Sequence, residues 1–305
     1  MHLDFTDDQR AILDALDSLA KPFESAPIHD APLAATSAEL NSAIVEGGFL
    51  DVAQDPDLGT TTAAIVIERL ARLPFAVEAG ASAMFRPLLS DPSSQPVCLV
   101  DERHLARPVR FLGEGATIIV VGDSVRKFGA EAGVVHSEPE ALFAYPMAML
   151  SGVPDDAEKL NIPVGEAKVR WQVAIAAEIA GLLAAALKST CEHTTDRNQF
   201  GRPLATFQAL RHRLAEAQVR TNGVYWLAMK AASTLDPADA AMAALHAQES
   251  AKNCVYDFHQ FLGAMGMTLE HPLHLWTYRL KALIGELGGR GAQAQCVADK
   301  LWPAR

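Results

Sequence analysis

Arg197-Asn198-Gln199-Phe200-Gly201-Arg202-Pro203-Leu204 stands between two long apolar stretches, Trp171 to Thr195 and Phe207 to Thr234. Both stretches carry apolar residues at helical spacing. In the second, Leu210, Leu214, Ala217, Val224 and Ala228 fall near one face while Arg211, Arg213, Glu216 and Arg220 fall elsewhere. The segment between them holds a glycine, which turns freely, and a proline, which cannot continue a helix. Further helices are expected over Pro237 to Leu262, Leu273 to Leu287 and Ala292 to Leu301. Long helices joined by connections this short pack antiparallel, so a C-terminal four-helix-type bundle is expected over residues 161–305.

Upstream of the bundle the texture changes twice. Between about Gln95 and Tyr145 short β-prone runs appear: Val97 to Val100, Val109 to Leu112, Thr117 to Val121 and Gly133 to His136. Gly113, Gly115, Gly122 and Gly129 punctuate them as turns. A small middle β-domain is read over residues 91–160, with Ser151 to Val164 as a connecting stretch. Residues 1–90 read as an N-terminal helical domain. There Thr6 caps a helix over Asp7 to Leu19 with Gln9 at the capping-box position and Phe5 at the staple position; helices near Ser37 to Glu46 and Thr60 to Arg72 follow. The fold class is mainly α with a small central β-domain.

At 305 residues and 50% hydrophobic, the chain is long enough for two or three domains around a sizeable core. A net charge of -11, from 37 acidic against 26 basic residues, argues against nucleic-acid binding, which needs a concentrated basic face. Cys98, Cys191, Cys254 and Cys296 show neither a C-x-x-C pair nor zinc spacing and are read as reduced core thiols. The opening Met1-His2-Leu3-Asp4-Phe5 lacks a basic and apolar leader, and the apolar stretch from Trp171 to Leu187 is interrupted by Glu178. A cytoplasmic protein that does not enter a membrane is expected.

The chemical candidates are few. Gly113-Glu114-Gly115 has Ile118 where a dinucleotide fingerprint needs its last glycine. Gly288-Gly289-Arg290-Gly291 either presents amides to an anion at a helix N-terminus or caps the helix expected to end at Leu287. Arg197 either binds a pyrophosphate or complements the negative end of its helix. His193, His212 and His259 have no nucleophile or acid at recognisable spacing.

The order Arg197-Asn198-Gln199-Phe200-Gly201, Phe207-Gln208, Gln260-Phe261-Leu262-Gly263-Ala264-Met265-Gly266, Glu270-His271-Pro272-Leu273 and Arg279 resembles the C-terminal domain of acyl-CoA dehydrogenases. Phe5-Thr6-Asp7-Asp8-Gln9-Arg10 resembles the opening of that family, so the likeness runs along the chain. It implies an N-terminal helical domain, a reduced β-barrel and a C-terminal bundle, with FAD as cofactor. It also implies that Arg197, Phe200, Gln208, Gln260, Gly263 and Ala264 face the adenosine diphosphate part of an FAD held mainly by a neighbouring subunit. Ala264 stands where the family has a second glycine.

Other parts of the family pattern are missing. The Gly-Ser-Asp and Trp-Ile-Thr/Ser motifs that line the flavin ring are not found between Arg86 and Asp156. Counting from Arg279 puts Gly288 at the usual position of the catalytic glutamate, and counting back from Arg197 puts Trp171 at the alternative one. Glu286 is two residues from the expected site, which on a helix end turns its side chain away by about half a circle. Glu270 matches a family glutamate that is commonly structural. The pattern resembles the non-catalytic subunit of α2β2 acyl-CoA dehydrogenases of steroid side-chain degradation. That resemblance implies a partner subunit carrying the catalytic Glu, an acyl-CoA substrate and an electron-transferring flavoprotein as acceptor. Two alternatives stay open: a self-sufficient homo-oligomeric dehydrogenase with Glu286 as displaced base, and a flavin-free scaffold subunit.

Overall fold

The computed structural model describes residues 4–27, 33–90, 96–131, 135–137 and 142–302. Helix α1 (Asp7–Ala20) begins with the expected capping box: Gln9 N donates to Thr6 Oγ1 and Thr6 N donates to Gln9 Oε1. Helix α2 (Ala38–Glu46) is capped by Ser37, and α3 (Gly59–Ala71) and α4 (Gly80–Phe85) follow. Helix α3 is buried on nearly every side, from Thr62 to Ile67, because it lies between α1 and the bundle.

The middle of the chain forms two small sheets. Strands β1 (Val97–Asp101), β2 (Val109–Arg110), β3 (Thr117–Val121), β4 (Val125–Gly129), β5 (Val135–Ser137), β6 (Met147–Leu150) and β7 (Glu158–Lys159) are arranged as β1-β3-β4-β7 and β2-β6-β5. The β1–β3 pair is parallel, with Val97 opposite Thr117, and the remaining ladders are antiparallel. The two sheets share a compact core of Cys98, Val100, Val109, Ile118, Val120 and Ala148. The expected runs from Val97 and Thr117 match β1 and β3, whereas only two residues of the run from Val109 are strand. Of the run Gly133 to His136, residues 133 and 134 lie outside the described residues. Strands β4 and β6 were not anticipated, and β7 falls inside the supposed connection because its pairing with Arg126 and Lys127 is non-local.

The bundle is built on α5 (Val164–Asp196), which starts before the expected Trp171. This helix is long and apolar enough to cross a membrane, yet most of its apolar window is buried inside the protein. A two-residue-strand hairpin, β8 (Asn198–Gln199) and β9 (Arg202–Pro203), leads to α6 (Gln208–Thr234), α7 (Pro237–Leu262), α8 (Leu273–Ile284) and α9 (Gly289–Leu301). Alanines at Ala240, Ala243, Ala244, Ala247 and Ala251 are fully buried, which allows α7 to approach α5 closely. One continuous core joins α1, α3 and α4 to the bundle, so the N-terminal helices complete the bundle's apolar surface. Cys98 and Cys254 are buried thiols; Cys191 and Cys296 are only half-buried, a correction to the reading of all four as core residues.

The end of α8 departs from expectation. Helix α8 stops at Ile284, and Leu287, Gly288 and Gly289 all have positive φ (50°, 81° and 66°). Gly288 is the N-cap of α9 and does not close a helix ending at Leu287. Arg290 pairs with the Glu249 carboxylate at 2.5 Å.

Candidate functional site

Two regions hold the candidate residues. The first is the corner where α5 ends and α6 begins. Arg197 is the C-cap of α5, its N–H donating to His193 O and its carbonyl accepting from Leu204 N, both at 2.9 Å. In the hairpin that follows, Asn198 is paired with Pro203 and Gln199 with Arg202. The connecting residues Phe200 and Gly201 both have positive φ, 55° and 81°, the conformation that a tight two-residue hairpin demands. Glycine takes it freely; phenylalanine does so at a cost of about 1–2 kcal/mol. The Phe200 ring is 86% exposed, touches Phe207 edge-on at 6.1 Å between centroids, and Arg202 lies 4.2 Å over the Phe207 ring.

Gln208 opens α6 and Gln260 sits in the last turn of α7; both are exposed. Gly263 ends α7 at φ 60° and ψ -132°, a conformation open essentially to glycine, and Ala264 follows in a 3-10 turn over Gly263–Met267. Among the described residues no ion pair or side-chain hydrogen bond engages Arg197, Gln208 or Gln260. Neighbouring Arg213 is engaged: it pairs with Asp257 and lies 4.9 Å over Phe261. A guanidinium, an exposed ring, two amides and two glycines with open space above them suit a nucleotide diphosphate approaching from outside. The structure thus puts all six expected residues at the surface.

The second region is a cavity of about 400 Å³, partly open to solvent, where α4, the β-sheets, α5 and the turn after α8 meet. Its apolar wall includes Leu99, Phe111, Phe143, Met147 and Ile175. Glu286 and Trp171 both line it. The expectation that Glu286 turns away is corrected: α8 ends at Ile284, Glu286 opens the turn that follows, and its side chain lines the cavity. Gln248 Nε2 holds this turn by donating to Leu283 O and Glu286 O, each at 3.0 Å, and Gln293 Nε2 donates to Leu287 O at 3.1 Å.

Glu286 is already occupied. Its Oε1 accepts from Arg110 Nε at 2.6 Å and its Oε2 from Trp171 Nε1 at 2.9 Å. Arg110 Nη1 also donates to both oxygens of Glu178, at 3.1 and 3.2 Å. Tyr145 Oη donates to Glu178 Oε1 at 2.6 Å, and the Arg110 guanidinium lies 4.8 Å over the Tyr145 ring. Burial alone would pull the Arg110 guanidinium down, but Glu178, Glu286 and Tyr145 hold it well above the usual arginine range. The Tyr145 hydroxyl is pushed up by burial and then by Glu178. Arg279 is 1% exposed and has only backbone carbonyl partners, at Leu73, Pro74, Phe75 and Ala144; burial lowers it to about 10.

Glu78 and Asp101 also line the cavity; Asp101 pairs with Arg103, whereas no cation pairs with Glu78 among the described residues. Burial raises it to about 7, against donors from Ser82 Oγ and Ala81 N that favour the anion. Arg110, Tyr145 and Glu78 were not anticipated from sequence. Glu178 carried a signal: a single carboxylate inside an apolar helix must find a buried partner. Its partner came from a strand far away in sequence, which no local pattern announces. Glu270 is exposed, His212 is exposed, and His193 lies against His271 with ring centroids 5.4 Å apart.

Comparison with known proteins places these regions. The family description "Acyl-CoA dehydrogenase, C-terminal domain" matches residues 170–300. The acyl-CoA dehydrogenase IpdE2 of Mycobacterium tuberculosis is 35% identical over 107 residues, a segment covering 35% of this chain and 34% of that protein. FadE34 of the same organism is 35% identical over 124 residues, 38% of this chain and 17% of its own length. The matched segments thus span 34% and 17% of these relatives' lengths. Among solved structures, a ChsE4-ChsE5 complex from Mycobacterium tuberculosis superposes with a TM-score of 0.78 at 17% identity, covering 100% of both chains. A Tcur3481-Tcur3483 steroid acyl-CoA dehydrogenase gives 0.78 at 19% identity, covering 97% of this chain and 98% of that one. Residues 170–300 therefore match the acyl-CoA dehydrogenase C-terminal domain, on a chain that shares the fold of the ChsE4-ChsE5 and Tcur3481-Tcur3483 structures.

Proposed function

We propose that this chain is the non-catalytic subunit of a heteromeric, FAD-dependent acyl-CoA dehydrogenase, with a steroid side-chain CoA thioester as the substrate class. Its outer corner clamps the adenosine diphosphate part of an FAD seated mainly on a partner subunit, and that partner supplies the catalytic glutamate. FAD, when bound, supplies the hydride acceptor for α,β-dehydrogenation. In this reading Arg197 pairs with the pyrophosphate, Phe200 packs on the cofactor, Gln208 and Gln260 meet its polar edges, and Gly263 and Ala264 admit close backbone approach.

The observation that carries the proposal is the state of Glu286. A general base needs a carboxylate free to accept a proton at the substrate carbon. Here both oxygens accept from Arg110 and Trp171, and Arg110 is in turn bound to Glu178. The chain's own cavity therefore holds a closed ion cluster where a working subunit needs a poised base. The relatives IpdE2 and FadE34 are dehydrogenases by name, and the ChsE4-ChsE5 structure is a complex of two chains, which supports a shared site.

The visible spectrum tests this. The chain purified alone is expected to be colourless and inactive toward acyl-CoA, and to become yellow and active when co-purified with a partner, with electron-transferring flavoprotein as the acceptor to assay. A yellow homo-oligomer that oxidises acyl-CoA, and loses that activity on Glu286→Gln, would overturn the proposal and make Glu286 the base.

A further inference from the structure

The 3-10 turn Gly263–Met267 carries two of the six corner residues, yet Gly263, Ala264, Met265 and Met267 are exposed and lend it no apolar anchor. What ties it down is His259, one turn back along α7. His259 Nδ1 is 2.7 Å from Gly266 O, and His259 Nε2 is 3.0 Å from Thr277 Oγ1 on α8. Among the described residues one other side chain outside the turn hydrogen-bonds to it, that of Thr268, the residue directly after it, whose Oγ1 donates to Met265 O at 3.1 Å; His259 is the tie from another element.

The chemistry of the ring assigns its protons. A carbonyl oxygen only accepts, so Nδ1 carries hydrogen and donates to Gly266 O. Thr277 has one hydroxyl proton and two acceptors in reach, His259 Nε2 and Leu273 O at 3.1 Å. When the ring is neutral the hydroxyl serves Nε2. When it is protonated Nε2–H donates to Thr277 and the hydroxyl turns to Leu273. The tie to Gly266 persists in both states. Gly266 makes the contact possible, since a Cβ there would sit 3.0 Å from His259 O and 3.0 Å from Leu262 Cβ. The ring is stacked beside Tyr278, with centroids 6.4 Å apart and planes 19° apart, so its orientation is held independently of the hydrogen bonds.

We infer that His259 is a positioning residue for cofactor capture: through Nδ1–H it fixes the Gly263–Ala264 backbone, beside Gln260, in the orientation from which this chain meets a nucleotide diphosphate. The inference rests on the flavin-clamp reading above.

Two variants separate donation from packing. His259→Phe keeps an aromatic ring beside Tyr278 and leaves the Thr277 hydroxyl its Leu273 partner, but removes the donor to Gly266. His259→Asn places a side-chain N–H where Nδ1–H stood. The probe is FAD retained by the complex isolated through an affinity-tagged chain, read as the ratio of flavin to protein absorbance, together with amide exchange of residues 263–267. His259→Phe is expected to lower retained FAD about fivefold, the equivalent of one neutral hydrogen bond, with faster exchange in the turn and an unchanged Tm, and His259→Asn to restore both. Arg197→Ala is the parallel control. If Arg197→Ala loses FAD while His259→Phe retains it, the inference falls and the clamp stands. If His259→Asn fails as badly as His259→Phe, donation is not the role and the inference also falls. If Arg197→Ala retains FAD, the clamp itself is overturned and the inference with it.

Discussion

The corner around Arg197 and the cavity around Arg110 each hold an arginine beside an aromatic ring, yet they are in opposite states. In the cavity every charged group of the Arg110, Glu178 and Glu286 cluster has its partner inside the chain. At the corner, Arg197, Gln208 and Gln260 have no side-chain partner among the described residues, and Phe200 spends backbone strain to hold a ring in solvent. A polar group satisfied internally stabilises the fold and is lost to a ligand. One left unsatisfied at the surface costs little in water and is available. The difference separates a region that holds this subunit together from one that meets another molecule.

The largest expected effect breaks the cavity side. Arg110→Met leaves Glu178 and Glu286 as buried carboxylates without their cation, a loss of about 3–5 kcal/mol. That corresponds to a Tm lower by about 10 °C in a chain of this size, measured by calorimetry. An unchanged Tm would mean the cluster is not structural and that the cavity is open to ligand after all.

Arg197→Ala addresses the corner. It removes a charge-assisted contact to the pyrophosphate and should lower FAD retained by the complex by about 10–100-fold while leaving the Tm of the chain alone unchanged. A large fall in Tm would mean that Arg197 serves α5 and not a cofactor.

The smallest effect concerns Glu78, a cavity carboxyl that has no cation partner among the described residues. Its ordinary value of 4.5 is raised by burial to about 7 in the folded chain. Between those pH values the unfolded chain has released this proton and the folded chain keeps it. Stability therefore falls as pH rises through that window and levels off above it. The contribution is on the order of 2 kcal/mol, and Glu78→Gln should remove that slope in urea unfolding at pH 5 and pH 8. A slope that survives the substitution would assign it to another group.

Much of the molecule was legible in the sequence because its signals are local. The capping box at Thr6 and Gln9, the extent of α7 from Pro237 to Leu262 and the turn at Phe200-Gly201 each depend on residues within a few positions of one another. Strand β4 was not legible, because Val125-Arg126-Lys127-Phe128 alternates too weakly and is held by β3 and β7 on either side. The orientation of Glu286 was misread for a related reason. Helical periodicity predicts that it turns away, but α8 ends at Ile284 and the turn that follows is held by Gln248 and Gln293 from other helices.

The sequence by itself determined the class of fold and the succession of its long helices, since helix periodicity and caps are properties of neighbouring positions. Only the tertiary structure decided that Glu286 is bound to Arg110 and Trp171, that Arg110 also bridges Glu178, and that His259 holds the turn beside Gln260. Those pairings join positions as distant as 110 and 286, and burial makes each of them obligatory, because a charge withdrawn from water must find its partner wherever the packed chain provides one.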